Sequence, residues 1–298
     1  MQAHRDFVDP KLNARLGRLT LEARSLMVGS FTGRHKSPHR GSSVDFSQYR
    51  KYVPGDEIRH IDWRVYGRSE RFYVKEFEAD TNLRCHLVLD CSASMRFQGQ
   101  NGRKIDFARR LAAALAHVLL NQGDGVGLAA FNDKLLHDIP ARTSPRHLNA
   151  LLEVLGKIEP QGKTDLVKQL DDLAGRVRNR ALIIIISDLF HNVEELGKTF
   201  SHFSFRKHDL AVFHIVDRAE IDFPFDKPTR FVGIEGGDSV DADPEAIRQD
   251  YLREFGQYLQ DIRATSLRNK ADYRLAVTDQ DLESLISNFL LDRMNRRG

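Results

Sequence analysis

Residues able to do chemistry together stand at three places in the chain. Asp90-Cys91-Ser92-Ala93-Ser94 sets a carboxylate and two hydroxyls at alternating positions. Thr164 lies in Gly162-Lys163-Thr164-Asp165-Leu166, and Asp188 directly follows the apolar run from Ala181 to Ser187. Every candidate donor is an oxygen. Hard cations take oxygen ligands, so Asp90, Ser92, Ser94, Thr164 and Asp188 suit Mg²⁺, Mn²⁺ or Ca²⁺ better than zinc. Each piece has a plainer reading alone: Asp90 and the serines cap a strand-end turn, Thr164 caps the helix that follows it, and Asp188 is a loop carboxylate. Taken together, the three favour a cation site.

Other chemistries fit less well. His60, His86 and His117 lack metal-ligand spacing and read as core or boundary histidines. Lys163-Thr164 has the ending of a phosphate-binding loop, but Ile158-Glu159-Pro160-Gln161-Gly162 before it lacks the glycines that cradle phosphate. A Mg²⁺-dependent phosphoryl-transfer enzyme is the alternative function, since such chemistry also starts from a strand-end aspartate. Against it, no carboxylate stands two residues after Asp90, and no lysine or general base is evidently placed. Serine hydrolysis would need a G-x-S-x-G elbow, which is missing.

The elements that must position these residues follow from periodicity. Cys85–Leu89 and Ala181–Ser187 are continuous apolar runs of the kind buried parallel strands require. Between and after them, helical spacing over 105–120, 148–158, 166–177, 192–204, 244–268 and 280–294 alternates with strands at 125–131, 210–216, 231–234 and 273–277. Asn132-Asp133 turns the chain into 135–139, an antiparallel edge partner. This alternation predicts a doubly wound, mostly parallel α/β sheet with helices on both faces, over residues 81–298. Such sheets gather ligands at the carboxyl ends of their strands, where Asp90 and Asp188 fall. Residues 1–80 form an accessory region: an amphipathic helix from Asp9-Pro10 to Gly29–Gly33, then a β-rich element over 44–80 with strands at 44–53, 59–64 and 72–77. Arg59, Asp62 and Trp63 read there as a structural pair with an aromatic anchor.

A net charge of +3, concentrated as a mild excess in residues 1–80, is too small to argue for nucleic acid. The longest apolar run, Ala181–Ile186, has six residues, so no membrane span is expected. The opening MQAHRDFVDPKLN has no apolar core of a signal peptide. Cys85 and Cys91 lie about 20 Å apart if the stretch is extended, too far to bridge, and read as buried thiols of a cytoplasmic protein.

DCSAS, GKTDL and SDLF resemble the three parts of the metal-ion-dependent adhesion site of von Willebrand factor A domains. The resemblance implies that Ser92, Ser94 and Thr164 ligate Mg²⁺, that Asp90 and Asp188 act through water, and that an acidic residue of a protein partner completes the shell. Upstream, Gly41, Asp45, Phe46, Arg50, Tyr52, Gly55, Asp56, Arg59, Ile61, Asp62 and Trp63 are similar to the signature of the bacterial family catalogued as domain of unknown function 58. HDLAVFHIVDRAEIDFP resembles a later segment of that family. The family implies a von Willebrand A-type core and a MoxR-type AAA+ ATPase as partner. The expectation is a non-enzymatic interaction module acting in assembly or maturation of client proteins.

Overall fold

The computed structural model describes residues 44–53, 62–69, 71–79, 83–144, 146–163, 165–234 and 239–295. The expected helix over 9–33 lies outside them. Two compact units divide the described chain, one within residues 32–82 and one from Leu83 onward.

In the smaller unit β1 (Val44–Lys51) pairs antiparallel with β2 (Tyr73–Ala79), with a bulge between Phe46 and Gln48. The strand expected over 59–64 is corrected. Residues 59–61 lie outside the described chain, and α1 (Trp63–Ser69) is a helix. Asp62 is the reason: its Oδ1 accepts from the backbone N–H of Arg64 at 2.9 Å and of Val65 at 3.3 Å. A carboxylate closing the first turn in this way starts a helix whatever the aromatic content that follows.

The larger unit is built on a six-stranded sheet. Its strands in chain order are β3 (Arg84–Asp90), β6 (Gly125–Phe131), β7 (Leu135–Arg142), β8 (Leu182–Ser187), β9 (Asp209–Val216) and β12 (Asp272–Val277). A small hairpin of β4 (Gln98–Gly99) and β5 (Gly102–Arg103) precedes α2 (Lys104–Asn121). The remaining helices are α3 (His147–Lys157), α4 (Leu166–Arg176), α5 (Val193–Phe205), the short α6 (Arg218–Asp222), α7 (Pro244–Arg268) and α8 (Leu282–Asn295). The expected strand near 231–234 is β10 (Thr229–Val232), which pairs with β11 (Ser239–Ala242) outside the main sheet.

The sheet order is β12-β9-β8-β3-β6-β7, with only β7 antiparallel. The chain winds outward from β3 through β6 to β7, then returns to β8 on the other side of β3 and winds outward again. It is a doubly wound α/β sheet, and its winding reverses between β3 and β8. Apolar residues cover both faces. Leu87, Leu89, Ile184 and Ile186 pack against α2, α3 and α8, whereas Val88, Ile183 and Ile185 pack against α4, α5 and α7. Cys85 and Cys91 are buried free thiols. Among the described residues no helix is long and apolar enough to cross a membrane.

Candidate metal centre

Doubly wound sheets leave a crevice beyond the carboxyl ends of the strands where the winding reverses. Here those ends are Asp90 of β3 and Ser187-Asp188 of β8. Asp90 is fully buried, and neutral donors hold both of its oxygens. Oδ1 accepts from the backbone N–H of Ser92 at 2.9 Å, and Oδ2 accepts from the Ser187 hydroxyl at 2.6 Å. A single 3₁₀ turn, Ala93–Arg96, follows and brings Ser92 Oγ to 2.9 Å from Ser94 Oγ.

The loop carrying Thr164 runs beside this turn. Ala93 donates to the carbonyl of Gly162 at 3.0 Å, and Gln161 donates to that of Cys91 at 2.9 Å. Gly162 has φ +74, and a Cβ there would meet Asn132 Nδ2 at 3.3 Å, so the close approach favours glycine. Arg96 Nη2 donates to the Pro160 carbonyl at 2.8 Å, while Arg103 and Arg109 reach Glu159 at 3.1 and 3.3 Å. Thr164 itself lies outside the described residues, although Gly162 and Asp165 on either side of it are both anchored. Asp165 donates its N–H to the Asn132 carbonyl at 3.3 Å.

Asp188 is held differently. Its Oδ2 accepts from Lys104 Nζ at 2.7 Å, and the same ammonium reaches Glu220 Oε1 at 3.0 Å. The next residue, Leu189, is fully buried with φ 53, a conformation that L side chains avoid. Ser187 Oγ accepts from its N–H at 2.9 Å, and the Tyr258 hydroxyl donates to its carbonyl. Left-handed backbone at a strand end is a recurrent feature of functional sites. Here it turns the chain sharply just after Asp188.

The two carboxylates titrate apart. Burial pushes Asp90 up to about 6, with the negative charge of Asp188 adding to it and hydrogen bonds from Ser187 and Ser92 opposing. Burial also acts to raise Asp188, but the Lys104 ammonium overrides it and leaves Asp188 below the ordinary carboxylate value. Burial alone would lower Lys104; Asp188 and Glu220 instead hold it above its usual value. His214, buried on β9 and bonded through Nδ1 to Tyr273 Oη at 3.0 Å, is pushed down to about 4 by burial and is neutral at pH 7.

This donor set fits a hard cation. Among the described residues no group of three or more His, Cys, Asp or Glu could hold a metal ion. Any ion at the β3/β8 crevice would therefore need the serine hydroxyls. Lys104 pairs with both Asp188 and Glu220, while Asp90 is bonded by neutral donors, so with all three carboxylates ionised these four groups carry a formal charge of −2 that a divalent cation would balance. A cleft of about 280 Å³ adjoins the donors, with Ser94, Lys104 and Asp188 in its lining and Phe97, Phe190 and Ile234 among its apolar walls.

The structure brings Asp90, Ser92, Ser94 and Asp188 of the sequence-predicted set to one edge. A lysine that the sequence did not single out also reaches this edge: Lys104, at the first turn of α2, bonded to Asp188 and Glu220. A positive charge there opposes the helix dipole, and that mismatch is the signal that could have flagged it. Ser187 and Glu220 were missed as well. The D-x-x-E spacing of Asp217 and Glu220 marks a capping box, which α6 forms.

Comparison with known proteins gives three findings. A family model described as "Protein of unknown function DUF58" matches residues 48–258. An uncharacterised protein of Mycobacterium tuberculosis (strain H37Rv), Rv1480, is 30% identical over 300 residues, covering 98% of this chain and 92% of that protein. Among solved structures, the conserved hypothetical protein BatB from Bacteroides thetaiotaomicron aligns with a TM-score of 0.47 at 16% identity, over 72% of this chain and 100% of its own. The SpRpn10 VWA domain aligns with a TM-score of 0.41 at 12% identity, over 72% and 95%.

Proposed function

Since this chain belongs to the DUF58 family of proteins of unknown function, its role has to be read from its site, and we propose that it is a non-enzymatic protein–protein interaction module built on a divalent cation. Ser92, Ser94 and Thr164 would hold Mg²⁺, or Mn²⁺ or Ca²⁺ in its place, with Asp90 and Asp188 balancing its charge. When bound, the ion supplies a fixed positive charge to which an acidic side chain of a partner protein adds. The observation that carries this reading is the convergence of Asp90, Ser92, Ser94 and Asp188, all oxygen donors, where the winding of the sheet reverses. The resemblance of the upstream signature supports a MoxR-type AAA+ ATPase as the partner and the maturation of client proteins as the setting.

The chain's own residues do three things at this site. Ser187 and the Ser92 N–H orient Asp90, so that its lone pairs are fixed before any ion arrives. Lys104 keeps Asp188 ionised. The apolar walls of the cleft lower the local dielectric, which strengthens attraction between a held cation and a partner carboxylate.

The phosphoryl-transfer alternative gains Lys104 as a phosphate-binding candidate. That lysine is 3% exposed and already bonded to two carboxylates, so it is poorly offered to a phosphoryl group. The test is capture of a purified MoxR-type ATPase by immobilised full-length chain, wild type and Asp90→Ala, with Mg²⁺ and with chelator. Retention only by wild type with Mg²⁺ is expected. Equal retention under all four conditions would remove the cation from the contact, and turnover of a generic phosphoester that is lost in Asp90→Ala would favour the enzyme.

A further inference from the structure

We propose that Lys104 is a built-in cation of this site, competing with the divalent ion for Asp188 and so setting how tightly the ion is held; this inference rests on the cation reading above. Lys104 is the first residue of α2 and is 3% exposed. Its position does nothing for the helix, because a positive charge in the first turn opposes the helix dipole. A buried ammonium is costly unless it is paired. Its pairing is with the site: Nζ lies 2.7 Å from Asp188 Oδ2 and 3.0 Å from Glu220 Oε1, and 5.7 Å from the centre of the Phe97 ring.

The donor set is therefore asymmetric. Asp90 is bonded by neutral groups, whereas Asp188 already carries a cation on one oxygen. An ion drawn to Asp188 has to share that carboxylate with the ammonium or displace it. Glu220 provides a second carboxylate for the ammonium to keep. It is fixed for that task, since its Oε2 accepts from the Asp217 N–H at 2.7 Å and its backbone carbonyl accepts from Tyr251 Oη at 3.0 Å. The plainer alternative is that Lys104 only neutralises buried carboxylates so that the chain folds. Competition predicts that removing the ammonium raises metal affinity, whereas the plainer account predicts no gain.

Mn²⁺ binding to the full chain, followed by electron paramagnetic resonance, separates them. The double variant Lys104→Met/Glu220→Gln removes one charge of each sign, so net charge is unchanged while Asp188 loses its competitor. It should bind Mn²⁺ at least about tenfold tighter than wild type. Lys104→Arg keeps the charge and places a forked donor that grips a carboxylate through two bonds, so it should bind Mn²⁺ several-fold more weakly. Affinity unchanged or reduced in the folded double variant, or unchanged in Lys104→Arg, would overturn the proposal while leaving the cation reading intact. If the double variant does not fold, Lys104→Arg decides alone. Absence of Mn²⁺ uptake by wild type and both variants would overturn the cation reading, and this inference with it.

Discussion

Asp90 takes its hydrogen bonds from groups without charge, and this makes it sensitive to each of them. Ser187→Ala removes the 2.6 Å donor to a fully buried carboxylate. Leaving such a group short of a partner costs about 1–3 kcal/mol, so the urea midpoint of the metal-free protein should fall accordingly. An unchanged midpoint would mean that this bond is not part of what holds Asp90. Leu189 sets two effects against each other. Its φ of 53 costs about 1–2 kcal/mol, which glycine would relieve. Its side chain is fully buried, and truncating a buried leucine costs about 2–5 kcal/mol. Packing wins, so Leu189→Gly should be destabilised by about 1–3 kcal/mol in denaturant unfolding. A stabilised variant would contradict the packing seen here.

At the scale of elements, the β4–β5 hairpin and α6 meet at Gly99 and Asp217. A methyl group on Gly99 would lie 2.0 Å from Asp217 Oδ1, in the middle of the capping box that starts α6. Asp217 is also bonded through Oδ2 to Thr278 Oγ1 at 2.6 Å, which limits how far it can retreat. Gly99→Ala should therefore separate hairpin from helix at a cost of about 1–3 kcal/mol, and through Glu220 it should disturb Lys104. Wild-type stability would show that the hairpin moves freely. The major strands and helices of the sheet were legible because each is an apolar run or a helical stripe with polar punctuation. Beyond Leu83 the sequence-based ranges agree with the observed elements to within a few residues. The small elements were less legible: β10 was expected at 231–234, but a single turn such as α6 has no period to read, and β11 has only four residues. The strand expected over 59–64 gives way to helix at Trp63, where aromatic content suggests extended chain but the cap at Asp62 decides otherwise.

Over the whole molecule, several buried and half-buried imidazoles couple the fold to pH. Burial lowers His86, His117 and His208, and it pushes His214 down to about 4. For each, the unfolded chain binds more protons in the range between the folded value and the ordinary histidine value. Their contribution is thus complete above about pH 6.5 and is lost as pH falls below it. Asp90, pushed up to about 6, acts in the opposite sense, because the folded state takes up its proton first. His214 is pushed down by at least as much as Asp90 is pushed up, and three more lowered imidazoles act in its sense, so the metal-free protein should be less stable to urea at pH 5.5 than at 7.5; equal or greater stability at 5.5 would contradict this burial pattern. Of the candidate site, Asp90, Ser92, Ser94 and Asp188 were legible as oxygen donors because two short motifs carry them, whereas Thr164 of the third motif lies outside the described residues. The counter-ion Lys104 and its partner Glu220 were hidden, since Lys104 stands ten residues past Ser94 and Glu220 thirty-two past Asp188, and only the fold brings them to the crevice. The central claim is that these residues form one divalent cation site, and calorimetric unfolding with and without Mg²⁺ tests it most directly. At about 100 times its dissociation constant, Mg²⁺ should stabilise the wild-type chain by about 2.7 kcal/mol and leave Asp90→Ala unmoved. A wild-type chain that unfolds identically in saturating Mg²⁺ and in chelator would contradict the account.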